Sequence, residues 1–204
     1  MLLLANHLKI EAVGMRSKVK IYPALKLSAF ILTLPSILSA CSTTAVTKKP
    51  TTKELFLVSH PPQKTLKKIN SLLPHAMQWY EDVSKSLHAK GRKLTKAETQ
   101  QAKRLGVKNP DLIRVVILEQ FPEPNKNTTI NHFEGARAMG NIIMIKPRHK
   151  NDSLILCHEL VHVAQKDRLG LKQFLRQYAI EHEVLGYSKS LLENEAYALQ
   201  QTIE

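Results

Sequence analysis

The stretch that decides the fold is residues 154–164, Leu-Ile-Leu-Cys-His-Glu-Leu-Val-His-Val-Ala. It is apolar at all but three positions, so a helix formed by it is hydrophobic on most sides, as expected at the centre of a domain. We therefore predict a helix from about Leu154 to Asp167. Asp152 or Ser153 can cap its N-terminus, and Gly170 can end it.

The three polar residues of this stretch, His158, Glu159 and His162, form the pattern HExxH. Residues four apart lie one above the other on a helix, so the two imidazoles project toward one point. Two neutral imidazoles suit Zn²⁺, and Glu159 is placed to accept a proton from a zinc-bound water. The alternative is a helix that carries these residues on its surface, and the apolar surroundings argue against it. The pattern predicts a zinc-dependent hydrolase.

A catalytic zinc site needs a third protein ligand, and two acids on a later helix can supply it. Glu193 and Glu195 point about 200° apart on a helix, so one of them is expected to face the ion. The amphipathic pattern favours Glu195, because it shares a face with Leu191, Leu192 and Leu199.

His158–His162, followed about 31 residues later by Glu193-x-Glu195-Ala196, resembles the gluzincin metallopeptidases. In particular it resembles the eCIS-core/DUF4157-type metallopeptidase-like domains, and the likeness covers about residues 112–200. The resemblance implies that Glu193 is the third ligand, with Glu195 as the alternative. It also implies a zincin-like fold in which a small β-sheet packs against the HExxH helix. Tyr197 stands where the family usually has Asp.

The remaining pattern predicts an α+β, mostly helical fold in one zincin-like domain, residues 66–204. It has an N-terminal helical part (66–108) and a metal-site part (109–204). Pro74 is expected to kink or split the first helix. The predicted elements are helices at 66–90, 95–105, 171–184 and 188–202, strands within 112–121 and at 141–146, and a loop at 122–132.

The N-terminal residues predict export. A basic stretch at 15–20 precedes an apolar run at 27–38, which is shorter than the roughly 20 residues that span a bilayer and is typical of a signal peptide. The run ends in Leu38-Ser39-Ala40-Cys41, which resembles the bacterial lipobox. We predict a signal peptide at 1–40, with Met15 as an alternative start, and lipidation of Cys41. The alternative is an ordinary cleaved signal with a chance cysteine.

Residues 41–65 are rich in Thr, Lys and Pro and lack helical periodicity, so we interpret them as a lipidated tether. The residue after Cys41 is Ser42 and not Asp. In enteric-type lipoprotein sorting, the absence of Asp at this position implies the outer membrane, facing the periplasm. The leading hypothesis is thus a zinc metallopeptidase of the bacterial cell envelope that acts on a peptide or protein substrate. The alternative is a catalytically inactive zinc-binding lipoprotein that acts as an interaction module.

The net charge of +13 lies mainly in the first half of the chain. Residues 42–104 carry 13 Lys or Arg and 4 acids, whereas residues 105–204 carry 12 of each. A nucleic-acid partner is not predicted, because the basic part lacks interleaved aromatic residues. Cys157 is expected to pack beneath the motif helix. Four residues are open candidates for an oxyanion donor, namely Tyr178, His182, Tyr187 and Tyr197, and five histidines are expected at the surface, namely His60, His75, His88, His132 and His149.

Overall fold

The computed structural model describes residues 48–123 and 135–202. These residues form a mostly helical α+β fold with a small mixed sheet, which confirms the predicted fold class. The predicted signal peptide, Cys41 and most of the loop at 122–132 lie outside the described residues. Within the described ranges, no helix combines the length and hydrophobicity needed to cross a membrane.

Six α-helices are present in the described part of the chain. They are α1 (Thr52–Ser59), α2 (Gln63–His88), α3 (Lys96–Arg104), α4 (Ser153–Leu169), α5 (Leu171–Leu185) and α6 (Leu191–Gln200). The HExxH helix is α4, and Asp152 caps it by accepting hydrogen bonds from the amides of Leu154 and Ile155. The predicted capping box at the start of α3 is also present, between Thr95 and Glu98.

Four short strands form the sheet: β1 (Arg92–Lys93), β2 (Arg114–Ile117), β3 (Ala136–Met139) and β4 (Ile142–Ile145). Their order is β1-β2-β4-β3, with β2 and β4 parallel and the other neighbours antiparallel. β2 and β4 confirm the two predicted strands, whereas β1 and β3 were not predicted. β1 has only two residues. β3 has four, and the charged Arg137 interrupts its apolar residues. Neither sequence therefore shows the hydrophobic pattern that predicts a strand.

The turn between β3 and β4 consists of Gly140 and Asn141, since Met139 pairs directly with Ile142. Gly140 has φ of 65°, a conformation that other residues rarely adopt. A Cβ atom there would also lie 3.0 Å from the Ser84 hydroxyl oxygen. This glycine therefore allows both the tight turn and the close approach of α2.

The sheet has helices on both faces. On β4, Ile142 and Met144 belong to the core shared with α2 and α5, whereas Ile143 and Ile145 belong to the core shared with α4. Successive side chains of a strand point to opposite faces, and both faces are covered, which explains the uninterrupted apolar run of β4. The motif helix thus packs directly on the sheet.

Helix α2 continues through Pro74, so of the two predicted effects of this proline, a kink or a split, the split does not occur. Buried residues lie on both sides of the proline, Ile69 and Leu73 before it and Tyr80 after it, and all three belong to one core cluster. Packing of both halves against the same core outweighs the hydrogen bond that proline removes.

Helix α1 corrects the interpretation of residues 41–65 as a tether without helical structure. Thr51 and Glu54 form a reciprocal capping box at its start, and α1 packs against α5. Glu54 also forms an ion pair with Lys189, and the amide of Lys48 donates to the carbonyl of Ser188 at 2.9 Å. The segment from Lys48 onward is therefore attached to the domain.

Candidate metal centre

His158 and His162 lie one turn apart on α4, and both are buried, with 6% and 5% of their surface exposed. Their Nε2 atoms are 3.1 Å apart, and the rings meet edge to face. The predicted convergence of the two imidazoles is therefore present in the structure. Their burial follows from the apolar sequence around them, which packs α4 between the sheet and α6.

Glu193 approaches the two histidines from the first turn of α6. One carboxylate oxygen, Oε2, lies 3.3 Å from Nε2 of His158, and the other, Oε1, lies 3.5 Å from Nε2 of His162. Glu193 is 2% exposed, and its Oε2 has no hydrogen-bond partner among the described residues. Two imidazole nitrogens and a buried carboxylate form the kind of ligand set that holds Zn²⁺ with one position open.

The structure brings Glu193, and not Glu195, to the histidine pair. Both carboxylate oxygens of Glu195 accept hydrogen bonds from the Arg168 guanidinium at 2.8 Å. Glu195 also accepts one from the Gln165 side chain. The amphipathic pattern pointed to Glu195 because this residue does face α4, but it meets Arg168 near the end of that helix.

Gln165 fixes the orientation of His162. Its amide nitrogen donates to the carbonyl of Leu192 at 2.8 Å and to Glu195 at 3.0 Å, which leaves its Oε1 facing Nδ1 of His162 at 2.8 Å. An amide oxygen is an acceptor, so Nδ1 of His162 carries the proton. In the neutral ring, the lone pair is then on Nε2 and directed at the cluster.

Gln200, at the end of α6, has the same relation to His158, with Oε1 2.9 Å from its Nδ1. Sequence reasoning missed both glutamines. Gln165 lies three residues after His162 and so on the same helix face, which is a weak signal that could have identified it. Gln200 is 42 residues from its partner, and no local pattern connects the two.

Glu181 holds the start of α6 in place, and it too was missed. Its carboxylate is completely buried and accepts hydrogen bonds from the Ser190 hydroxyl and the Leu192 amide, both at 2.9 Å. Ser190 in turn caps α6 by accepting from the amide of Glu193. Tyr178 donates to Oε1 of Glu193 at 2.8 Å. These contacts fix the position of the Glu193 backbone and side chain relative to α4.

The cluster is electrostatically arranged for a cation. Burial alone would raise the pKa of the Glu193 carboxyl, but His162 and His158 hold it well below its usual range. Burial alone would lower the pKa of His162, but the Glu193 carboxylate beside it raises that pKa to about 9. Two lone pairs and a carboxylate at these separations repel one another unless a proton or a metal ion lies among them.

Glu159 is buried next to the cluster, with 6% of its surface exposed. Its negative charge contributes to the raised pKa of His162, so its carboxylate lies within electrostatic range of the proposed ligands. The role of Glu159 as a general base stays a prediction.

The four oxyanion candidates surround the cluster. Tyr178 is engaged with Glu193, and its ring stacks on His182 with centroids 4.2 Å apart. Burial lowers the pKa of His182 to about 4. The hydroxyls of Tyr187 and Tyr197 are 2.9 Å apart, and the Tyr197 ring lies 4.6 Å from that of His158.

The remaining histidines and the cysteine lie apart from the cluster. His60, His75 and His88 are exposed as predicted, His149 is half-buried, and His132 is outside the described residues. Cys157 is fully buried in the structure, as expected for a packing residue, and burial raises the pKa of its thiol to about 11.

Comparison of the chain with protein-family models, with curated proteins and with solved structures gives no match. The resemblance to gluzincins therefore stays a prediction that rests on the residues quoted above.

Proposed function

We propose that this chain is a zinc-dependent metallopeptidase of the bacterial cell envelope, anchored by a lipid at Cys41. The observation that carries the proposal is the convergence of His158, His162 and Glu193, whose ligand atoms all lie within 4.8 Å of one another in a buried position. The Glu193 carboxylate is buried beside both imidazoles, which supports a cation at this position, because a buried carboxylate without one is costly.

Each residue of the site has a role in this proposal. Nε2 of His158, Nε2 of His162 and the Glu193 carboxylate bind the metal, and Gln165 and Gln200 keep the imidazoles in the binding tautomer. Zinc, when bound, lowers the pKa of a water molecule to about 7 and polarises a carbonyl group. Glu159 accepts a proton from the attacking water and passes it to the leaving amine.

A peptide or protein substrate is proposed from the HExxH pattern of α4. β3 is the last strand in the order β1-β2-β4-β3, and it packs against this helix. All four residues of β3 are buried, and the carbonyl of Ala138 accepts from the Tyr80 hydroxyl at 3.5 Å, so the edge of the sheet is covered there.

The decisive experiment combines metal analysis with the substitution Glu159→Gln. We expect about one zinc per chain in the wild type and in this variant, and loss of peptide hydrolysis in the variant. Glu183→Gln, an exposed change on α5, is the matched control and is expected to keep full activity. A wild-type protein without bound zinc, or a Glu159→Gln variant with unchanged hydrolysis, would refute the proposal.

One observation favours the second candidate, a zinc-binding envelope lipoprotein without catalysis. All three proposed ligands are at most 6% exposed, and Tyr197 packs beside His158, so the site is closely covered. In that case zinc is bound but the wild type hydrolyses no peptide, and a hydroxamate inhibitor does not reach the metal. Both candidates bind zinc, so peptide hydrolysis and inhibitor binding are the two measurements that separate them.

A further inference from the structure

An apolar and basic surface lies where the chain enters the domain. Seven large hydrophobic residues are exposed among the described residues, and four of them lie in two neighbouring segments. Leu55 and Phe56 belong to α1, with Phe56 59% exposed, and Tyr187 and Leu191 belong to the turn before α6 and its first residue. We call these four residues the entry surface.

The two segments of the entry surface are joined by specific contacts. Lys48 donates its amide proton to the carbonyl of Ser188, and its own carbonyl accepts from the Asn194 side chain. The side chains of Glu54 and Lys189 form an ion pair at 2.5 Å. Residues 48–54 therefore lie directly along the turn at 187–189, which fixes where the preceding chain reaches the domain.

The distance to the predicted lipid is short. Cys41 precedes Lys48 by seven residues, and seven extended residues span at most about 25 Å. Whatever conformation those residues adopt, a lipid at Cys41 holds Lys48, and with it the turn at 187–189, within that distance of the bilayer surface.

The charge of this region matches an anionic membrane. Residues 48–68 carry six lysines and one acid, and Lys48, Lys49 and Lys53 are all exposed beside the entry surface. Basic side chains are attracted to anionic phospholipids, and exposed aromatic and aliphatic residues bury favourably at the boundary between headgroups and acyl chains.

We propose that the entry surface docks onto the anionic phospholipid surface in which the Cys41 lipid is inserted. The inference rests on the lipid anchor of the proposed function. Tyr187 is part of this surface and is hydrogen-bonded to Tyr197, whose ring lies against His158. Docking therefore places the candidate metal centre beside the membrane, and the proposed hydrolysis then acts on protein segments that lie close to the bilayer.

The test uses the full lipidated chain in vesicles of phosphatidylethanolamine and phosphatidylglycerol. An environment-sensitive fluorophore is attached to Thr52→Cys, an exposed position on α1, and, as a control, to Gln100→Cys, an exposed position on α3. Cys157 is buried and does not compete for the label. We expect the probe at 52 to shift to the blue and to lose emission when the lipids carry nitroxide quenchers, while the probe at 100 does neither.

Two substitutions test whether the apolar residues cause this signal. Phe56→Ser is expected to reduce the quenching at position 52, and Leu112→Ser, which changes another exposed hydrophobic residue outside the entry surface, is expected to leave it unchanged. Equal signals at positions 52 and 100 in vesicles that carry the protein would overturn the proposal.

The anchor and the hydrolase can fail separately. If the chain does not float with the vesicles, the lipid anchor is absent and the docking proposal is overturned with it. Zinc content and peptide hydrolysis are measured on the same preparation, so a protein that floats and docks but binds no zinc refutes the proposed function and leaves the membrane surface standing.

Discussion

Replacing Gln165 by Met tests whether the order of the site depends on this one side chain. Met has nearly the same length but no hydrogen-bonding amide, so the change removes the acceptor for His162 and the donor to the carbonyl of Leu192. Each buried group left without a partner costs about 1–3 kcal/mol. The metal-free variant should therefore lose about 2–6 kcal/mol of unfolding free energy. Loss of a partner that orients a ligand weakens metal binding by about 10–100-fold, which corresponds to about 1.4–2.7 kcal/mol.

The assays are urea unfolding of the metal-free protein and zinc titration in competition with a chromophoric chelator. The titration is performed under conditions where the urea curve shows the variant to be folded, so that weaker binding is not confused with unfolding. Gln78→Met, an exposed change that removes one hydrogen bond to Asp82, is the matched control and should alter neither quantity much. An unchanged zinc affinity in a folded Gln165→Met protein would refute the view that Gln165 positions His162.

Three further outcomes are expected. Glu193→Ala should abolish tight zinc binding. Glu195→Ala removes a hydrogen-bond partner of Gln165 and should weaken zinc binding by no more than about 10–100-fold. Equal losses of zinc affinity in the two variants, measured by equilibrium dialysis, would contradict the assignment of Glu193 as the ligand. The pKa of His162 is raised to about 9 in the metal-free site, and zinc binds the neutral ring. Zinc binding near pH 7 should therefore release about one proton from His162, and the zinc affinity should rise with pH up to about 9. Calorimetry in buffers of different ionisation enthalpy measures the released proton. A binding enthalpy that does not depend on the buffer would contradict this prediction. Gly140→Ala should lower the unfolding free energy by about 1–2 kcal/mol, because its φ of 65° is unfavourable for alanine, and an unchanged urea midpoint would show that the turn relaxes.

Features encoded within a few residues were predictable from the sequence. The Asp152 cap, the capping box at Thr95, and the pairing of His158 with His162 each depend on spacings of two to four positions, which a helix converts directly into contacts. The α+β class followed from the same local patterns.

Features that depend on how helices meet were not predictable in this way. The choice between Glu193 and Glu195 depends on which side of α6 faces the histidines and which meets Arg168. Amphipathy favoured Glu195 alone, whereas in the structure both acids contact α4. The contact between Gln200 and His158 joins positions 42 residues apart, and nothing near either residue in sequence indicates it.

Helix α1 was missed although its start has a recognisable signal. The capping box of Thr51 and Glu54 was visible in the sequence, but the surrounding Thr, Lys and Pro residues are typical of a linker. The helix is short, and isolated helices of this length are marginal. Its stability comes from packing on α5 and from the ion pair with Lys189, which only the folded chain provides.

The approach of Glu193 to His162 also has a consequence for the unfolded chain. The two residues are 31 positions apart, so an ion bound by both would act as a crosslink that closes a loop of that length. By the chain-entropy relation for crosslinks, such a closure disfavours the unfolded ensemble by about 3–4 kcal/mol. The only cysteine among the described residues is free, and the ion would take the place of a covalent bridge in disfavouring the unfolded chain.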